Sequence, residues 1–146
     1  MTEKDVVLLN MGIHFAAAVN FTNYKRLIDQ LITLVNRNGK NNPDNGFNNA
    51  NSTFKGRFIW KTSTALHRER FPNPHKDVRR FLTFPRVKLY NAYATSAMCR
   101  AGIDVIDVHP ISESYPTGTV SQTDPVHYSG HVFRDVEALL YKMFAP

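Results

Sequence analysis

The stretch Asp5-Val6-Val7-Leu8-Leu9-Asn10-Met11-Gly12 decides the fold. Four consecutive aliphatics, two of them β-branched, stop at a polar residue and a glycine. A short run that is apolar at every position and bounded by a turn signal predicts a buried strand of a parallel sheet. In open α/β sheets ligands bind beyond the carboxyl ends of the strands. Asn10 therefore falls where chemistry is expected.

Two further segments repeat the pattern. Arg57-Phe58-Ile59-Trp60-Lys61-Thr62 is a bulky, partly β-branched second strand that opens into Ser63-Thr64-Ala65-Leu66-His67. Ile103-Asp104-Val105-Ile106-Asp107-Val108 alternates as a third. Helical periodicity fills the intervals. After a connecting stretch over 15–22, with room for a short helical turn, Asn23 is placed to cap a helix. Its Tyr24, Leu27, Ile28, Leu31, Ile32 and Val35 share one face, and Gly39 suits its C-terminal cap. Pro85 suits the start of a second helix that buries Val87, Tyr90, Ala94, Ala97 and Met98 and ends at Gly102. Residues 68–84 are charged and Pro-rich, with a short helix expected from Asp77 to Leu82. Residues 109–128 predict a polar loop. Gly130 to Phe144 predicts a last helix with a stripe of Val132, Val136, Leu139, Leu140 and Met143. Strand and helix alternate three times, the pattern of a parallel sheet with helices on its faces.

The 146 residues predict a single domain over 1–146, and 42% hydrophobic residues suffice for a core, which excludes a disordered chain. Eight asparagines between Asn36 and Asn51, with Gly39, Pro43 and Gly46, mark 36–55 as an Asn-rich loop insertion. The net charge of +6 is spread over scattered lysines and arginines without an aromatic or Gly-rich RNA-binding motif. A solvated surface is expected, and no nucleic-acid partner. The one cysteine, Cys99, excludes an internal disulfide and reads as a small packed hydrophobe. No apolar run approaches the ~18 residues of a membrane span, and no signal-peptide pattern opens the chain. The sequons Asn20-Phe21-Thr22 and Asn51-Ser52-Thr53 matter only in a secretory compartment, so the localisation stays open.

Chemistry concentrates at Asp124-Pro125-Val126-His127-Tyr128. A carboxylate three residues before an imidazole can orient it and stabilise its protonated form, as in a Ser-His-Asp system. The plainer reading is a loop acid capping the last helix beside a surface histidine. Asn10-Met11-Gly12-Ile13-His14 is the candidate second half of one site. His14, His67 and His109 come with neither a His-Glu-x-x-His motif nor a cysteine cluster, so no metal and no cofactor are expected. Trp60 and Tyr128 are core aromatics by default and sugar-stacking platforms otherwise.

Taken together, these segments resemble the SGNH/GDSL hydrolase superfamily, and most closely its PC-esterase branch. That branch includes the trichome-birefringence-like O-acetyltransferases and the neurexophilin-and-PC-esterase proteins. Leu8 to Phe15 is similar to the branch's Asn-x-Gly-His-Trp segment, with one residue inserted before the histidine. Trp60-Lys61-Thr62-Ser63 and His67 are similar to its aromatic-Arg-Thr…Ser-Pro…His segment, and Asp124 to Tyr128 matches Asp-x-x-His-aromatic. The order and approximate separation agree over roughly the whole chain. The resemblance implies an α/β three-layer sandwich with a short parallel sheet, flavodoxin-like and lacking its first two strands. It implies Asp124 as the acid, His127 as the base, and Asn10 and Gly12 at the oxyanion hole. His14, Ser63, His67 and Tyr128 would stand near the cleft. The implied partner is an acylated glycan or other O-acyl ester, hydrolysed or transacylated through an acyl-serine.

The chain departs from that pattern at one decisive place, because no Gly-Asp-Ser occurs in it. The chain is therefore expected to be the C-terminal portion of such a domain, without its nucleophile. The strand at Val6–Leu9 would then be an exposed apolar edge open to self-association. The competing expectation is a non-catalytic glycan-binding or protein-interaction module on the same fold, using Trp60, Tyr128 and the basic surface.

Overall fold

The computed structural model describes residues 5–38, 56–70 and 80–144. Three parallel strands, β1 (Val6–Leu9), β2 (Arg57–Lys61) and β3 (Asp104–Ile106), lie in the order β1-β2-β3. The helices are α1 (Ile13–Ala18), α2 (Phe21–Asn38), α3 (Phe84–Arg100), α4 (His109–Glu113) and α5 (Arg134–Phe144). Short 3-10 turns occupy Arg68–Arg70 and Gly130–Phe133. The protein is thus a mixed α/β fold around a small parallel sheet. Of the 36–55 insertion, residues 39–55 fall outside the described residues, as does the cap expected at Gly39.

The two-residue period of the strands sorts their side chains. Leu9 pairs with Trp60, and Trp60 with Val105. All three, with Phe58, join a core built from Ala16, Tyr24, Ile28, Tyr90, Ala94 and Met98 under α1, α2 and α3. The other face carries Leu8, Ile59 and Asp104 in register, with an Arg57–Asp104 ion pair at 2.7 Å. Leu8 is 43% exposed and Val6 37%. The expectation of a strand buried on both faces is corrected here: β1 is an edge strand whose one strand partner among the described residues is β2, and it buries only its core-facing side.

The helix built from Pro85 onward buries Val87, Tyr90, Ala94, Ala97 and Met98. Its end is a Schellman closure. Gly102, at φ +72°, donates its N–H to Cys99 O, and the Ile103 N–H reaches Met98 O. Cys99, next to Met98 but off the buried face, is exposed, contrary to the packed position expected of it. Helix α2 begins two residues before the cap expected at Asn23. Asn20 Oδ1 instead accepts the Asn23 N–H at 2.9 Å. Of the short helix expected over 77–82, residues 77–79 are not described and Arg80 and Phe81 form a turn.

Two further expectations are corrected. The loop expected over 109–128 opens with α4, which buries His109 and Ser112. Pro110 sits in its first turn, where its missing N–H costs nothing. The final stripe is hardly covered: Val132 is buried in the 3-10 turn, but α5 buries no residue and leaves Leu139 and Met143 exposed. Among the described residues, no helix is long and apolar enough to cross a membrane.

Candidate active site at the carboxyl edge of the sheet

Each strand hands over to a polar loop at its carboxyl end, and side chains stitch the loops together. After β2, Thr62 Oγ1 donates to Asp107 Oδ1 at 2.8 Å and accepts the Val108 N–H at 2.9 Å. The Ala65 N–H donates to buried Ser112 Oγ on α4 at 2.9 Å. Ser63 is held by a reciprocal pair: its N–H donates to Asn91 Oδ1 and Asn91 Nδ2 donates to its carbonyl, both at 2.9 Å. A helix side chain thereby supplies what a neighbouring strand would.

The loop after β2 also carries the Asp124–His127 turn. The His67 N–H donates to Pro125 O at 2.8 Å, Thr64 Oγ1 reaches Val126 O at 3.3 Å, and the Tyr128 hydroxyl donates to Ala65 O at 3.2 Å. Burial pushes the Tyr128 phenol up to about 12, so it remains a donor at neutral pH. From behind, Arg70 clips the preceding loop. Its guanidinium donates to Thr119 O at 3.1 Å, Thr119 Oγ1 at 2.7 Å and Thr117 O at 3.2 Å. The Thr119 hydroxyl in turn bonds Asp124 O. Gly118, at φ +65°, lies directly under that guanidinium, where a Cβ would approach Arg70 Nη2 to 2.8 Å.

Within the turn, Asp124 Oδ1 accepts the N–H groups of Val126 and His127, both at 2.9 Å, while Oδ2 stands 2.8 Å from His127 Nδ1. Burial alone would raise the Asp124 carboxyl. The N–H groups of His127 and Val126, followed by the imidazole, outweigh it and hold the carboxyl below its ordinary value. With Nδ1 facing a carboxylate, the proton belongs on Nδ1, and Nε2 is the basic nitrogen.

The Asn10–His14 segment and the Asp124–His127 turn meet. Asn10, Gly12, His14, Lys61, Ser63, Thr64, His127, Tyr128 and Phe133 are among the residues lining one crevice of about 380 Å³ beyond the carboxyl ends of β1 and β2. That volume suits a small ligand or one sugar unit. Asn10 Nδ2 donates to Lys61 O at 2.7 Å and lies 3.3 Å from Ser63 Oγ. The second bond is weak enough for an incoming oxygen to replace it. Gly12 is required by packing: any Cβ there would overlap the Ser63 hydroxyl and stand 2.5 Å from Ser63 Cβ. His14 lies exposed on α1 at the rim. His67 lies outside the lining, with Nδ1 2.9 Å from Glu69. Trp60 is 1% exposed in the core, which removes it as a binding platform.

Sequence reasoning missed Asn91 and Arg70. Asn91 left a signal, since it is a polar residue four after Val87 and three before Ala94 on an otherwise apolar stripe. Arg70 left none, because its partners, three main-chain oxygens and the Thr119 hydroxyl, lie some fifty residues away. Among the described residues, no three His, Cys, Asp or Glu side chains gather to hold a metal ion. None of the described serines hydrogen-bonds to His127. Ser63 faces Asn10, Ser112 holds Ala65, and Ser96 bonds Arg100.

No protein-family model matches the sequence, and no curated protein matches it.

Proposed function

We propose that the chain is part of an SGNH/PC-esterase-like hydrolase domain that cleaves or transfers an O-acyl group, acetyl on a glycan, through an acyl-serine. One observation carries this reading: the Asp124-bound imidazole of His127 and the amide of Asn10 line the same crevice at the carboxyl edge of a parallel sheet. In this reading His127 Nε2 takes the proton of a serine hydroxyl, and Asp124 holds the tautomer and stabilises the imidazolium. Asn10 Nδ2 exchanges Ser63 Oγ for the developing oxyanion, an interaction whose loss typically costs about 2.7–4 kcal/mol of barrier. The serine comes from a segment other than those described. In the three-layer fold of that superfamily the strand bearing it lies beside β1, whose outer edge pairs with no described strand. The same edge is where a second copy of the chain would associate.

Two measurements test the reading. Nitrogen-15 NMR of His127 is expected to show the Nδ1–H tautomer, and an Nε2–H tautomer overturns the base role. Hydrolysis of p-nitrophenyl acetate by this chain is expected to equal that of His127→Ala. Clear His127-dependent turnover overturns that source of the serine and points to one among the described residues.

A further inference from the structure

The crevice has an uneven charge. Among its lining residues there is no aspartate or glutamate, and one side chain, Lys61, carries a fixed charge. Asp124 stands behind His127 and spends both carboxylate oxygens on the turn. Lys61 is at the last position of β2, on the face opposite Trp60. Its ammonium lies 5.9 Å from the centre of the Phe133 ring, which also lines the crevice. Among the described residues no carboxylate pairs with it. Arg57, at the other end of the same strand face, has Asp104, whereas Lys61 pairs in register with apolar Ile106.

We propose that Lys61 is the counter-charge for a carboxylate on the ligand, so that the crevice takes an anionic ester and not a neutral one. The inference rests on reading this crevice as the substrate pocket. A half-buried ammonium with an aromatic face in place of an anion is only partly compensated for its lost water, and burial lowers the Lys61 pKa. A ligand carboxylate restores the missing partner through a charge-assisted hydrogen bond. Two sources present that chemistry: a uronic acid in the glycan, or a dicarboxylic half-ester as the acyl group. Either places an anion near Lys61 while the ester carbonyl lies towards Asn10 and His127.

The test is binding followed by amide chemical shifts of Asn10, Ser63 and His127. Glucuronate is compared with glucose, and monomethyl succinate with methyl acetate. In at least one pair the anion is expected to bind tighter by about tenfold or more, the lower end for a hydrogen bond to a charged group. A glucuronate preference assigns the charge to the glycan, and a monomethyl succinate preference assigns it to the acyl group. The advantage is expected to vanish in Lys61→Met, persist in Lys61→Arg, and weaken with salt on the wild-type chain. Equal binding of charged and neutral partners on the wild-type chain overturns the proposal. So does an advantage that survives Lys61→Met, or a failure of both anions to bind. Because the readout is binding and not turnover, a Lys61-dependent preference for the anion stands or falls separately from the role of His127 as base.

Discussion

Asp124 grips His127 from both ends, accepting its backbone N–H with one carboxylate oxygen and facing its ring Nδ1 with the other. Because the carboxyl is held below its ordinary value, the sign of the pH dependence follows. The folded state favours the ionised form, so the stabilisation is complete above the unfolded value of about 3.9 and disappears as pH falls through the lower folded value. Urea unfolding of wild type and Asp124→Asn at pH 3–7 is expected to give a gap that is constant above about pH 5 and closes below about pH 4. A gap that stays the same from pH 5 down to pH 3 contradicts a contribution from the ionised carboxylate.

Gly12 and Ser63 occupy space that only a glycine leaves. Gly12→Ala is expected to destabilise the fold by about 1–3 kcal/mol, the usual range for forcing extra volume into a packed site. In the Gly12→Ala/Ser63→Gly double variant most of that loss is expected to return, because the overlapping atoms are gone. Denaturant melts of the four-member cycle measure the coupling directly. Additive losses would mean that the strain lies elsewhere.

Asn91 serves both main-chain polar groups of Ser63. Asn91→Leu leaves the Ser63 N–H without its partner, and an unsatisfied buried donor costs about 1–3 kcal/mol. His109 Nδ1 stays 3.2 Å from the Ser63 carbonyl and cushions that side. Amide hydrogen exchange at Ser63 is expected to accelerate in this variant, and an unchanged rate contradicts the latch.

Arg70 acts on the Asp124–His127 turn without touching it. Arg70→Ala is expected to raise amide exchange at Val120, whose N–H donates to His127 O at 2.8 Å, while the exchange of α3 stays as it is. Arg70→Lys is expected to behave like the alanine variant, since one ammonium cannot span the spread of oxygens that the guanidinium fork reaches. Restoration by lysine would show that charge alone suffices.

The period of the side chains made the strands, α2 and α3 legible, and α3 shows why. Its five predicted core residues repeat at helical spacing and point to one side, so burial followed from local order alone. Helix α4 was illegible because its burial depends on Ser112 and His109 answering groups on another loop, Ala65 N–H and Ser63 O. The stripe of α5 carries the correct period, yet period measures only which residues share a face and not whether anything lies opposite. At the site, Asp124 and His127 were readable because their contact spans three residues. The Asn10–Ser63 contact spans 53, and no local pattern encodes it.

The reciprocal bond between Asn91 and Ser63 ties the floor of the crevice to the rotational phase of a helix. One residue inserted in α3 ahead of Asn91 would turn everything upstream by about 100° relative to it. Either the apolar stripe or the amide would then lose its seat. Changes several turns from the crevice, at residues that never meet a ligand, are therefore transmitted to it as a slipped thread is to the far end of a screw.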